Sequence, residues 1–211
     1  MRGLHRLAGA TVLGTLLLLA AGALVTSTDS GMAFPDWPTS AGRNLFAYPW
    51  FRATRAQFIE HGHRLMGALV GLLTLVMAFG FWFSSPRRDL KVLGLLASAV
   101  VLAQGVLGGC RVLFDAKIFA FLHACLAYPF FALLCGLWGM TGPGPGLRGP
   151  RALAHATALM VYLQIVTGAA LRQLHFPLAV HIGLAILVTV LVCRLGYVLV
   201  QGPGFGMGIY D

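Results

Sequence analysis

Six stretches of the chain are nearly free of charge in their interiors and long enough to cross a bilayer: 7–28, 60–83, 92–113, 118–140, 153–171 and 178–199. A spanning helix needs about 20 apolar residues, and each stretch comes close to or exceeds that length. Polar and basic residues collect between them. One connection is long, 29–59, and carries Phe34-Pro35-Asp36-Trp37-Pro38 and Tyr48-Pro49-Trp50. Its prolines and glycines exclude a long helix, and its aromatics suit an interfacial cap. The connections at 114–117 and 172–177 are very short, and short connections make antiparallel neighbours. The pattern predicts an all-α membrane protein, an up-down bundle of about six transmembrane helices.

Composition agrees. The chain of 211 residues is 58% hydrophobic and 10% charged, with mean hydropathy +0.83, where soluble domains are about a quarter charged. The net charge of +9 lies in loops and at helix ends, so it is no sign of a nucleic-acid partner. Arg2, Arg6, Arg87, Arg88, Lys91, Arg148 and Arg151 fall on one side, which the positive-inside rule makes cytoplasmic. Both termini are then inside. The opposite side carries Arg43, Arg52, Arg55, Arg64, Arg111, Lys117 and Arg172, several at helix mouths where they suit an anionic ligand. The first span has a basic start but no small-residue cleavage site, and reads as a retained helix. Cys110, Cys125, Cys135 and Cys193 form no CxxC pair and no loop pair. They read as buried, inert thiols.

Three histidines, His63, His123 and His181, sit at one depth, each just inside the start of a different span. Ionisable residues are costly in a bilayer and read as functional by default. Neutral imidazoles facing each other across a bundle are how a protein holds haem iron. Residues three or four apart share a helix face, so Glu60, His63, Arg64, Gly67, Gly71 and Thr74 form one stripe, with His61 roughly opposite. The glycines let a flat group or another helix approach the backbone. A second reading makes Glu60 and Arg64 an interfacial ion pair beside snorkelling histidines, and His123 alone a hydrogen-bonded bundle histidine. Arg111 and Arg172 are either carboxylate clamps, with Arg64, or helix-end anchors. His155 and His175 read as bland. An internal echo links QGVLGGCR at 104–111 with QIVTGAALR at 164–172, each followed by a short loop and a histidine-bearing helix. The expected organisation is a four-helix half over 1–140, a Gly/Pro linker at 141–152 and a two-helix partial second half over 153–211.

The residues Glu60-x-x-His63-Arg64, GALVTSTDSG followed by PDWP, QGVLGG-x-RV and His123 together resemble the haem A synthase family, over most of the chain. The resemblance implies conversion of haem O to haem A for terminal oxidases, by oxidation of a porphyrin methyl to a formyl group. It implies that His63 and His123 flank the substrate haem and that Glu60 is essential to the chemistry; in the clamp reading, Arg64 and Arg111 would hold the propionates. It implies an integral protein of a bacterial-type inner membrane, with the haem site toward the outer face. The partners implied are haem O or the haem O synthase, and the oxidase under assembly. Family members have eight helices in two similar halves, the second holding haem b. Six spans are read here, so the fold expected is one four-helix half plus an incomplete second half. His181 matches a histidine of that second half without its partner. It is either a vacant or hydrogen-bonded residue, or a second haem ligand shared with another copy of the chain. Many bacterial members carry a cysteine pair in the first outer loop, and Ser40 stands at one of those positions. The alternatives to the enzyme are a non-catalytic haem-binding oxidase assembly protein and a bis-histidine electron-transfer cytochrome b.

Overall fold

The computed structural model describes residues 1–143 and 150–201. Six helices follow one another: α1 (Arg2–Ser27), α2 (Arg55–Ser84), α3 (Arg88–Phe114), α4 (Lys117–Thr141), α5 (Arg151–Leu174) and α6 (Leu178–Gln201). All six are long and apolar enough to span a membrane, and no strand occurs among the described residues. The protein is an all-α integral membrane protein, as the hydrophobic pattern predicts. Half of the expected 141–152 linker, including Arg148, and the 202–211 tail lie outside the described residues.

The helices run beyond the apolar stretches at several ends. The largest extensions are at the starts of α1 and α2, each by five residues. At α2 the cause is a capping box. Gln57 N–H donates to Thr54 Oγ1 (3.4 Å), and Thr54 N–H donates back to Gln57 Oε1 (3.2 Å). The 30 residues of α2 measure about 45 Å, against a hydrocarbon core of about 30 Å. The end that carries Glu60, His61 and His63 therefore reaches the headgroup level.

The chain forms two compact units, Met1–Gly142 and Pro143–Asp211. In the first, α1 packs on α2 and α4, and α3 packs on the same two helices. This closes a ring in which α2 and α4 lie on the diagonal. The ring's main apolar cluster is Ala8, Val70, Met77, Phe81, Leu90, Ala97, Phe130, Leu134 and Leu137. They come from the start of α1, the middle and end of α2, the start of α3 and the later part of α4. They fill one end of the bundle, and the histidines occupy the other. In the second unit α5 and α6 form a hairpin in which only Thr157 and Ala170 are buried. Large apolar side chains cover the outside of every helix, as a lipid-facing surface requires. All four cysteines are free. Cys110, Cys125 and Cys135 are half-buried, but Cys193 is exposed on α6 rather than buried.

Candidate haem site

His63 of α2 and His123 of α4 meet across the ring's diagonal. Their ring centroids are 6.5 Å apart with planes at 76°. Each ring rests on a glycine of the preceding helix. A Cβ on Gly22 of α1 would lie 3.1 Å from His63 Cε1, and one on Gly108 of α3 would lie 3.6 Å from His123 Cε1. His123 Nδ1 is 3.1 Å from the Gln104 carbonyl oxygen, and Gln104 Nε2 donates to the His123 carbonyl (3.0 Å). This arrangement holds the ring and leaves Nε2 without a hydrogen bond. His63 Nδ1 is buried and also has no hydrogen-bond partner.

The separation of the two rings suits a metal ion held between them. Two metal–nitrogen bonds of about 2 Å, plus about 1.1 Å from each coordinating nitrogen to its ring centre, would place the centroids about 6.2 Å apart. A backbone carbonyl on the remote nitrogen is the usual way to fix a ligating imidazole. Gly67 and Gly71 continue the His63 face inward, and a Cβ on either would meet nothing within 4 Å. There is thus free space along the backbone where the sequence stripe places it. No cluster of three or more His, Cys, Asp or Glu side chains able to hold a metal occurs among the described residues.

Glu60 and Arg64 are engaged chiefly with the outer loop. Glu60 is 4% exposed. Its Oε2 accepts the backbone N–H groups of Ala33 (2.6 Å) and Phe34 (3.2 Å). Its Oε1 accepts Arg64 Nη2 (2.6 Å) and Nε (3.1 Å). Arg64 Nη1 donates in turn to the carbonyls of Asp36 (2.9 Å) and Thr39 (2.8 Å), and the guanidinium lies 5.1 Å from the Phe34 ring centre. His61 is buried beside them, against the same loop, among Phe34, Tyr48 and Trp50. Its Nδ1 lies 3.1 Å from the hydroxyl of buried Ser40. Arg111 Nη1 pairs with Asp115 (2.6 Å). His155 is exposed, and His175 closes α5 in a left-handed conformation (φ 58°).

The histidine arrangement recurs in part in the second unit. A Cβ on Gly168 of α5 would lie 3.1 Å from His181 Cε1 of α6. Here, however, Thr167 Oγ1 lies 3.0 Å from His181 Nδ1, and Gln164 Nε2 lies 3.2 Å from His181 Nε2. Sequence reading found all three histidines but not the seats of His63 and His181. The usable signal was the Gly22-Ala-Leu-Val and Gly168-Ala-Ala-Leu echo, whose leading glycine is the seat in each case. The loop's fastening to Glu60 and Arg64 left no such signal, because its partners are backbone groups.

A family model described as cytochrome oxidase assembly protein matches residues 5–182. Among curated relatives, a haem A synthase from Shouchella clausii is 29% identical over 191 residues, covering 84% of this chain and 62% of that protein. One from Exiguobacterium sp. is 30% identical over 174 residues, covering 79% and 56%. One from Halalkalibacterium halodurans is 33% identical over 122 residues, covering 57% and 38%. The chain thus spans between about two fifths and three fifths of the length of these relatives. No solved structure matches.

Proposed function

The chain belongs to the cytochrome oxidase assembly protein family, and on that premise we propose that it is a haem A synthase-like membrane oxidoreductase. Its substrate in this reading is haem O, whose porphyrin methyl group is oxidised to the formyl of haem A for terminal oxidase biogenesis, the carbon gaining a water-derived oxygen while four electrons pass to an external electron acceptor and four protons to solvent. The observation that carries the reading is the pair His63 and His123, 6.5 Å apart on diagonal helices. His123 would present Nε2 to the iron while its Nδ1 is held by the Gln104 carbonyl. His63 would approach from α2, steadied by its seat on Gly22. Gly67 and Gly71 leave room for the macrocycle edge. Bound there, the haem supplies both the iron and the methyl carbon that is oxidised.

The other roles follow from position. Glu60 stands one helical turn outward of His63 on the same face and serves turnover. Arg111 has guanidinium N–H groups beyond its bond to Asp115 and offers charge to a propionate. Arg64 adds positive charge at the same mouth. The membrane is a bacterial inner membrane, with both termini cytoplasmic and the haem near the outer face. The haem O synthase and the oxidase under assembly are the partners. The 1–140 region works as the substrate half, and 153–211 contributes α5 and α6 with His181 to a second half.

One observation favours a second reading, a haem-binding assembly protein without catalysis: both oxygens of Glu60 are already taken by four donors. Expression of the full chain with a haem O source, followed by mass analysis of the extracted haems, separates the two. Haem A among the products is expected for the enzyme. Haem O bound and unchanged would establish the carrier. Absence of any low-spin, bis-imidazole haem spectrum would sink both.

A further inference from the structure

The long outer loop is fastened to the helix ends that lie directly outward of the two histidines, and the fastening uses residues that a haem-contact reading leaves unexplained. Asp36 shapes the loop. Its carboxylate accepts the N–H groups of Ala41 (2.9 Å) and Gly42 (2.8 Å) and the hydroxyl of Thr39 (2.5 Å). Those bonds close a turn through two residues with positive φ, Ala41 (53°) and Gly42 (71°). The turn presents the carbonyls of Asp36 and Thr39 to Arg64. One step earlier in the loop, the amides of Ala33 and Phe34 point at Glu60. Phe34, wholly buried, lies under the guanidinium. Glu60 and Arg64 therefore grip the loop by opposite backbone polarities, amides by the acid and carbonyls by the base. Charged hydrogen bonds shielded from water are among the stronger ones a protein makes.

A second fastening lies across the bundle. Trp37 stacks its indole on the backbone of α3 at Gly109, where a Cβ would come within 2.6 Å of Cδ2, 2.8 Å of Cε3 and 2.9 Å of Cε2. All three are rigid ring atoms, so only glycine fits. Gly109 adjoins Gly108, the seat of His123, while Glu60 is one turn from His63. The loop thus bridges α2 and α3 at the mouth of the histidine pair.

We propose that Glu60, Arg64, Asp36 and Trp37 are positioning residues that hold the 33–42 segment as a fixed cover over the His63–His123 site, with the Glu60–Arg64 pair as latch and Gly109 as the seat of the second fastening. The identity of the ligand rests on the haem reading above; the cover does not. Its function is to keep the aqueous outer face away from the ligand. Excluding water strengthens the electrostatics inside a site and protects reactive intermediates. Glu60 then serves the chemistry through the loop rather than by touching the substrate.

The test uses the full chain in lipid nanodiscs. Arg43 and Arg52 are exposed in the loop and serve as trypsin sites. Glu60→Gln, Arg64→Gln and Trp37→Ala should each speed cleavage there by about tenfold or more, as expected when a local opening equilibrium loses a charged hydrogen bond or an aromatic packing contact. The double variant Glu60→Gln, Arg64→Gln should cleave little faster than either single one, because both belong to one latch. Trp37→Phe should restore slow cleavage. In haem-loaded protein, the same loosened variants should show faster reduction of the haem by aqueous dithionite and faster cyanide binding, effects that a residue with a merely structural role would not produce. Trypsin and dithionite rates at the wild-type level in Glu60→Gln, together with lost haem A formation, would overturn the proposal and place the carboxylate at the substrate. If the chain binds no haem, the haem reading fails, and the trypsin rates still decide whether the loop is latched.

Discussion

The hairpins α3–α4 and α5–α6 are built from similar words, Gln-x-x-x-Gly on the first helix and a histidine early on the second, and they differ at the ring nitrogens. In α3–α4 the glutamine side chain holds the histidine's backbone, its carbonyl faces Nδ1, and Nε2 is left without a hydrogen bond toward the facing helix. In α5–α6 the Gln164 side chain turns to Nε2 itself, and Thr167 takes Nδ1. Thr167 has Leu107 as its counterpart in the α3 repeat. One hydroxyl and one amide rotation separate a histidine bonded at Nδ1 alone from one bonded at both ring nitrogens. Equivalent sequence positions therefore need not mean equivalent chemistry. The hairpins differ as sharply in packing, since α4 buries Phe130, Leu134, Leu137 and Thr141 while α6 buries no residue.

The largest effect expected from this contrast is on haem content. The double variant His63→Ala, His123→Ala should lose the low-spin haem spectrum, whereas His181→Ala and His155→Ala should keep one haem per chain. A further half haem per chain, lost in His181→Ala together with dimerisation, would show that His181 is a ligand after all. Packing comes next. Leu134→Ala should lower stability by about 2–5 kcal/mol, while Ile186→Ala, 63% exposed on α6, should cost under about 0.5 kcal/mol. Thermal unfolding in one detergent reads both, and equal losses would erase the packing contrast. A smaller effect separates the histidine seats. Gly22→Ala places a methyl group 3.1 Å from His63 Cε1, whereas Gly108→Ala leaves an ordinary 3.6 Å contact with His123. Haem titration should show weaker binding for the first, by about tenfold on the scale of disturbed ligand support, and nearly unchanged binding for the second.

The smallest effect is a pH dependence in the loop. Burial alone would raise the Asp36 pKa, but bonds from Thr39 and from the Gly42, Ala41 and Asp36 backbone outweigh it and hold the carboxyl below its usual 3.8. A carboxyl lowered on folding stabilises the turn above its unfolded value, and that contribution is lost as pH falls through the folded one. Hydrogen exchange at the Ala41 and Gly42 amides, corrected for intrinsic rates, should accelerate below pH 3.8. In Asp36→Asn that acceleration should disappear. An identical pH profile in the variant would separate the turn from this carboxylate.

Much of the fold was legible because a bilayer imposes length and apolarity on every span, and those are properties of runs of residues. The histidine pair was legible for the same reason, since an imidazole inside an apolar run stands out. The beginning of α2 was not, because Thr54 and Gln57 act through backbone groups across the edge of the apolar stretch. The stripe reading put Glu60, His63 and Arg64 on one face, and the helix does so. It could not show that the loop reaches Glu60 and Arg64 through its amides and carbonyls. Trp37 on Gly109 was equally hidden, because the contact joins positions 72 residues apart (109 − 37) with no charge or periodicity to mark them.

The diagonal placement of α2 and α4 has a consequence for biogenesis. A chain emerging from the ribosome delivers His63 with its second helix, but the facing imidazole arrives only with the fourth, and α1 meets α4 to close the ring at that same moment. During insertion of the first three helices there is no two-sided pocket to fill. Loading of a ligand between the two imidazoles would therefore be a late event, set by completion of the ring, and a ligand that bridges the diagonal would act as a cross-brace on a bundle otherwise joined between neighbours.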